Sequence, residues 1–312
     1  MNYNTTNPIG TDGLQANDDL GLELYTGEVL AAFDIMNVAL DTVKRRTISG
    51  GTSAQFIVTG KANTSDVSTH TPGTAVTSKI LKVNERTITI TDREVYSNFV
   101  DDLELKLAQY EIRGEMAKQA AEALSTKIDK QIFTGIEAFV STDAGVADQD
   151  AGTVITADVS AAITNEAKGD VLVDKLFEAQ SVLNGKNVPT SERIFMTTSK
   201  NFYYLVQSSK AINVDFNRDG LIDNGSIANG EVAKVAGLPV KWTNNLPATG
   251  TNGFELHGIV YTPDVFGVVT AMDITSEANY IPQSLGYLLT SYYALGMGGL
   301  NPACGVVITE EA

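Results

Sequence analysis

Ser53-Ala54-Gln55-Phe56-Ile57-Val58-Thr59-Gly60, the polar interval Asn63–Ser78 (NTSDVSTHTPGTAVTS) and Lys79–Glu94 (KILKVNERTITITDRE) decide the fold. The first run is rich in β-branched and aromatic residues. The last alternates, with Ile80, Val83, Thr87, Ile88 and Ile90 at strand-forming positions. The interval between them holds small and polar residues and one proline, Pro72. Two strands joined by a long polar tip predict an extended β-hairpin. Such a hairpin cannot bury its own faces, and an isolated two-stranded ribbon is marginal in water. It needs a surface to lie on, and a neighbouring subunit is the natural one.

Upstream, residues 1–20 hold Asn, Thr, Gly and Asp with few large apolar groups, which predicts an extended arm. The start, Met1-Asn2-Tyr3-Asn4-Thr5-Thr6-Asn7-Pro8, has no basic stretch followed by an apolar core, so a signal peptide is not expected. From Leu20 to Ala39 the chain is apolar and partly helical, with Val29, Leu30 and Phe33 on one face.

Downstream, Asp101 or Asp102 caps a helical region that runs to about Phe139. Leu103, Leu107, Tyr110, Met116, Ala120, Leu124, Ile128 and Ile132 recur at three- and four-residue steps, with Glu115, Lys118, Glu122, Lys127 and Lys130 opposite. Gly114 is a candidate break, and the longer piece would span on the order of 35 Å. Ser141–Lys168 is rich in Ala, Gly, Thr and Asp and predicts weak structure. Asp170 is the expected cap of a second helix, Val171 to about Asn184, ended by Gly185. Strand signals follow at 193–197, 237–243, 258–261, 266–269, 288–294 and 306–309, with a helix over 201–208 that Ser199 can cap.

Composition limits the chemistry. Of 312 residues 43% are apolar, enough for a globular core, and no run approaches the roughly 18 apolar residues of a membrane span. Lys and Arg total 22 against 38 acidic residues, a net charge of −16. Non-specific nucleic-acid binding depends on neutralising phosphates, so this chain is a poor ligand for DNA. The single cysteine, Cys304, excludes an internal disulfide and a Cys-rich zinc site; in its apolar run it reads as packing. His70 and His257 are the only histidines, and a triad or His-metal cluster would have to use one of them. His70 falls in a loop tip and His257 beside a strand, so each reads as a surface or packing residue.

Four local patterns invite functional readings. Asp215-Phe216-Asn217-Arg218-Asp219-Gly220-Leu221-Ile222-Asp223 follows a calcium-loop pattern in which Asp215, Asn217, Asp219 and Asp223 would supply oxygen ligands. The twelfth position, where a bidentate Glu belongs, is Ser226, and a polar surface loop is the plainer reading. If occupied, the site would brace a loop; it also motivates the alternative of a calcium-binding surface or adhesion module. Gly296-Met297-Gly298-Gly299 lacks a following Lys-Ser/Thr, so a tight turn is expected over a phosphate loop. Asp101-Asp102 with Glu104 complements a helix dipole. Lys44-Arg45-Arg46 is the one dense basic run, and a salt bridge to a neighbouring subunit is expected over a contact with DNA.

Three blocks together carry a resemblance. Gly27–Phe33 (GEVLAAF) with Arg46–Phe56 (RTISGGTSAQF), then Val188–Phe195 (VPTSERIF), then Tyr293–Pro302 (YALGMGGLNP), resemble in order the major capsid proteins of T-seven-like short-tailed bacteriophages. The segment Ser209–Glu231 departs from that pattern. The resemblance implies an α+β chain with the HK-97 coat fold. Its parts would be an N-terminal arm (1–46), an E-loop hairpin with a peripheral strand (47–97), a peripheral domain with the spine helix (98–169), an axial domain (170–265) and return strands (266–312). It implies a structural protein and no enzyme or cofactor. The subunit would assemble into hexamers and pentamers of an icosahedral head, enclosing double-stranded DNA without specific binding. Scaffolding protein and a portal or connector would be its partners, with no membrane. The virion shell would be its location, and the host cytoplasm during assembly.

Overall fold

A computed structural model describes residues 28–29, 32, 37–60, 67–76, 83–101, 103, 112–143, 145, 149–211, 225–226, 231–232 and 234–311. In chain order, a 3-10 turn (Leu40–Thr42) leads into β1 (Lys44–Thr47), β2 (Ser53–Thr59), β3 (Val83–Thr89) and β4 (Glu94–Asp101). Helix α1 (Ile112–Thr142) and β5 (Thr153–Ala157) follow. Next are helix α2 (Asn165–Gly185), β6 (Ile194–Thr197) and helix α3 (Ser199–Gln207). Three short strands, β7 (Gly225–Ser226), β8 (Glu231–Val232) and β9 (Lys234–Val235), precede β10 (Leu238–Trp242) and β11 (Leu256–Tyr261). The chain ends through β12 (Phe266–Ile281), β13 (Gly286–Gly299) and β14 (Gly305–Glu310). The α+β class expected from the sequence is the class observed.

The chain divides into two compact units. One comprises Met1–Asn37, Ile90–Ile128 and Thr270–Leu295; the other comprises Val38–Thr89, Asp129–Val269 and Gly296–Ala312. In the first, β12, β13 and β4 are neighbours in a sheet. β13 and β4 are antiparallel, from Gly286 opposite Asp101 to Tyr293 opposite Glu94. Alternation along the strands buries Val100, Leu289, Ser291 and Tyr293 and leaves Val95 and Phe99 exposed. The Ser276 and Ser291 hydroxyls meet at 2.9 Å in that buried layer. Pro282 sits at the second position of the turn that joins β12 to β13, closed by Ser284 N–H to Ile281 C=O.

The second unit is built on a six-stranded sheet in the order β5-β14-β11-β6-β10-β9. β14 is parallel to β5, and β6 to β10; β11 runs antiparallel to both its neighbours. Every residue of β11 is buried, as a central strand requires. Helix α2 packs on β5 and β14, and α3 packs on β10 and on α2. Gly169 allows that helix pair to close: a Cβ there would lie 2.2 Å from the Tyr204 carbonyl oxygen. This explains one departure from expectation. Gly169-Asp170 reads as a helix start, yet α2 begins earlier, with the Thr164 hydroxyl accepting from Ala167 N–H as the cap. Asp170 instead accepts from the Ser208 hydroxyl at 2.6 Å.

Other expectations are corrected. Gly114 does not interrupt α1, whose 31 residues span about 46 Å at 1.5 Å per residue. Helix α2 does end at Gly185, as expected, and the left-handed residue just beyond it is Asn187. Thr198, not Ser199, caps α3. The stretch read as weak, 141–168, contains β5, held by parallel pairing with the distant β14. The glycines at 296–299 form no turn. They finish β13 as extended strand because side chains lie against them: a Cβ at Gly298 would meet Ile88 at 2.9 Å, and one at Gly299 would meet the Phe139 ring at 2.2 Å.

Replacing Gly299 with Val should cost about 1–3 kcal/mol through overpacking against Phe139. Gly185→Ala, where a Cβ meets nothing within 4 Å, should leave stability level or raise it by about 0.5–1 kcal/mol. Calorimetric melting of the two variants against the parent checks both signs.

Candidate functional site

The hairpin foreseen from the sequence is β2 paired antiparallel with β3, from Ser53 opposite Thr89 to Thr59 opposite Val83. Its two faces differ. Ala54, Val58 and Ile88 point to the buried side, with Phe56 and Arg86 half-buried beside them. Gln55, Ile57, Thr59, Val83, Glu85 and Thr87 point to solvent, with Ile57 73% and Val83 57% exposed. Val67 and Val76, in the polar interval between the strands, are exposed as well.

The buried face is fastened at its root. The Arg86 guanidinium donates through Nη2 to both carboxylate oxygens of Asp143, each at 3.0 Å, and lies 5.4 Å from the centre of the Phe139 ring. Asp143 follows directly on α1. Ile88 seats against Gly298. Gln149 donates to the Thr59 carbonyl at 3.3 Å. These contacts fix the ribbon's origin and leave its outer face uncovered.

Buried polar groups in the second unit serve as fasteners. Asp129, fully buried in α1, accepts from Ala39 N–H (3.0 Å), Val38 N–H (3.4 Å) and Asn245 Nδ2 (3.1 Å). Burial raises the Asp129 carboxyl above its ordinary range, against the pull of those three donors. One turn onward, Thr42 shares a 2.7 Å hydrogen bond with the buried Tyr261 hydroxyl. The root of the N-terminal segment is therefore pinned from α1, β11 and the segment after β10. Glu137, also buried on α1, accepts from Thr251 N–H and Oγ1 and from Ser141 Oγ.

His257 is 2% exposed in β11. Its Nε2 lies 2.6 Å from Glu310 Oε2, and its Nδ1 lies 3.3 Å from Asn201 Nδ2. Asn201 Nδ2 and Thr197 Oγ1 both donate to the His257 carbonyl. With Nδ1 facing an amide donor, the ring presents Nε2–H to Glu310. Burial works against ionisation of Glu310, but the Ser160 backbone and hydroxyl and the His257 ring outweigh it and hold its carboxyl below the usual range. This constellation ties β6, α3, β11 and β14 together. No local pattern signals it, because Asn201 and Glu310 lie more than fifty positions from His257.

The remaining residues singled out in the sequence are scattered. Asp215, Asn217, Asp219 and Asp223 lie outside the described residues. Among the described residues no three His, Cys, Asp or Glu side chains gather as metal ligands. His70 is exposed. Cys304 is buried, and burial pushes its thiol up and away from reactivity. Asp101 Oδ1 accepts from Leu103 N–H, and Asp102 and Glu104 lie outside the described residues. Lys44 pairs with Asp264 at 2.5 Å within the chain, where a bridge to a neighbour was expected. No described helix is long and apolar enough to cross a membrane.

Comparison with known proteins gives one answer. A family described as Gp10A-like major capsid protein matches residues 55–309. The major capsid protein of Enterobacteria phage T3 is 27% identical, with 97% of this chain and 96% of that one covered. That of Escherichia phage T7 is 27% identical, with 93% and 91% covered. Among solved structures, the capsid of Cyanophage P-SCSP1u superposes with a TM-score of 0.76 at 28% identity over 88% of each chain. The bacteriophage PhiM1 mature capsid shares the fold, with a TM-score of 0.70 at 17% identity over 88% of this chain and 87% of that one.

The Glu310 environment has a pH signature. A carboxyl held below its unfolded value adds stability above the unfolded pKa of about 4.3, and that stability is lost as pH falls through the folded value. Asp129 acts with the opposite sign: its raised carboxyl favours the folded state at low pH and loses that advantage as pH rises through its folded value. Glu310→Gln should therefore flatten the loss of unfolding free energy below about pH 4–5, measured by urea titration at stepped pH. Asp129→Ala, which leaves three N–H donors without their acceptor, should cost about 1–3 kcal/mol at pH 7.

Proposed function

The chain belongs to the family of Gp10A-like major capsid proteins, and from that premise we propose how it builds its shell. It is a structural subunit of a bacteriophage capsid with the HK-97-type fold, and its place is the virion. The observation that carries the assembly reading is the β2–β3 ribbon. It is anchored on one face by Arg86–Asp143 and Ile88, and its other face carries Ile57 and Val83 into solvent. Apolar side chains on an otherwise polar ribbon are covered when another copy lies beneath them.

Copies joined by such non-identical surfaces close into rings when the rotation between them closes. Hexamers and pentamers of one chain would then tile an icosahedral head. Many modest contacts act together, so each can be weak while the shell is stable. The parts divide as an arm (1–46), an E-loop hairpin with a peripheral strand (47–97), a peripheral domain with α1 as spine (98–169), an axial domain (170–265) and return strands (266–312). Assembly would take place in the host cytoplasm with a scaffolding protein, and one vertex would meet a portal. The enclosed double-stranded DNA would be confined without specific binding, in keeping with a charge of −16. The role is structural and not catalytic: the buried His257–Glu310–Asn201 group holds strands together. A calcium-binding adhesion module on Asp215–Asp223 has no support from the relatives or the fold.

Ile57→Asp with Val83→Asp tests the reading. Both sites are exposed, so the free subunit should fold with its circular dichroism and melting temperature unchanged. Particle formation, followed by negative-stain microscopy and sedimentation in cells that also express the scaffold, should fall by about two orders of magnitude, because each copy loses the same contact. Particles at parental yield would remove the ribbon from the assembly contacts.

A further inference from the structure

The buried network around His257 is complete for only one protonation state of the ring. Asn201, 1% exposed in the first turn of α3, is oriented by the His257 carbonyl, which accepts from its Nδ2 at 3.0 Å and from Thr197 Oγ1 at 2.7 Å. The same Nδ2 lies 3.3 Å from ring Nδ1, so Nδ1 is the acceptor and carries no proton. The ring's single N–H is at Nε2, 2.6 Å from Glu310 Oε2. Glu310 Oε1 accepts from Ser160 N–H at 3.0 Å, and its carboxyl is held below the usual range, so it is ionised where imidazoles titrate. The charged groups around the ring are Lys200 of α3 and Glu255 of β11, paired with each other at 3.0 Å, Glu310 of β14, and Asp158 in the loop after β5, which accepts from Ala161 N–H. β6 contributes the uncharged Thr197.

A second proton has one place to go, Nδ1, and there it meets a donor. Turning the Asn201 amide over gives no relief, since Oδ1 would then face the His257 carbonyl oxygen that Nδ2 now serves. Glu310, on the other side, favours the charged ring and keeps its bond to Nε2. We infer that His257 is a pH-responsive switch on α3: on taking up its second proton the ring keeps Glu310 and releases Asn201, so the start of α3 comes away from β11 and β6. Asn201 Oδ1 is buried with no hydrogen-bond partner among the described residues, so the amide holds the strand through Nδ2 alone. Release leaves α3 its Thr198 cap and its packing on α2 and β10, so the helix loosens while the unit stays folded. The released state binds one proton more than the closed one, so release grows as pH falls, by up to about tenfold per pH unit. Tyr203, exposed on α3 next to Asn201, moves with the helix, so pH sets how that surface is presented. All the parts lie in one compact unit of one chain, and the switch does not depend on assembly.

Imidazole nitrogen NMR on the free subunit reads the ring directly, with the exposed His70 as its internal reference. The titration runs from about pH 7.5 to 4.5, across the ordinary imidazole range, beside hydrogen exchange corrected for its intrinsic pH dependence. His257 should begin as the Nε2–H tautomer. As it gains the Nδ1 proton, exchange of the peptide 199–207 should rise about tenfold or more, while that of 94–101 in the other unit stays level. His257→Gln keeps a donor for Glu310 and has no proton to gain, so its α3 exchange should vary by less than about twofold over the same range. Asn201→Asp gives Nδ1–H an acceptor, so α3 should stay protected while the ring is charged. A ring that charges with α3 exchange unchanged overturns the switch. So does a ring neutral throughout, an Nδ1–H tautomer at neutral pH, or an equal rise in His257→Gln. Should His257→Gln fail to fold, Asn201→Asp carries the test, because acid loosening of its α3 equal to the parent's overturns the switch as well.

Discussion

A two-stranded β-ribbon has no interior, and that constraint organises the molecule. One face of β2–β3 can be covered by the chain that carries it, and it is: Arg86 closes on Asp143 and Phe139, and Ile88 seats against Gly298. On the other face Ile57 and Val83 point away from the root and stay exposed. A protein that kept such a ribbon and worked alone would carry apolar exposure with no return. A protein whose neighbours lie under the ribbon converts the same residues into contacts. The chain belongs to a family of capsid proteins, which act as repeated copies in a shell.

The rest of the fold makes the ribbon's origin rigid. The carboxylates on α1, Asp129 and Glu137, accept hydrogen bonds from segments far away in sequence, and Asp143 just beyond its end pairs with Arg86. A long helix with fasteners at several levels acts as a strut, and each buried carboxylate is matched by donors, as burial demands. Glycines set the spacing. At Gly299 the Phe139 ring occupies the room a side chain would take, and at Gly169 the backbone of α3 does. These contacts leave no room for added volume.

Much of this was legible in the sequence because it is local. The alternation in Lys79–Glu94, the three- and four-residue steps of Ala120, Leu124, Ile128 and Ile132, and the polar tip between the hairpin strands each follow from side-chain periodicity. Element starts were less legible. Asp170 is a good cap by type, but Thr164 lies further upstream and Gly169 is needed for close packing, so α2 begins earlier. The glycine-rich 296–299 looks like a turn until Ile88 and Phe139 are seen against it. The His257–Glu310–Asn201 and Asp129–Asn245–Ala39 groups were not legible at all: their members come together only through sheet order and helix docking. The surface meant for neighbours was readable only as an excess, a hairpin too long and too polar to cover itself.

Cover by other copies is what the ribbon's outer face is proposed to await. Hydrogen–deuterium exchange followed by mass spectrometry, on free subunits and on assembled particles, tests it most directly. Peptides spanning 53–59 and 83–89 should exchange readily in free subunits and slow by about two orders of magnitude or more in particles, while the buried strand 256–261 is protected in both. Equal exchange of the hairpin peptides in the two states would contradict it.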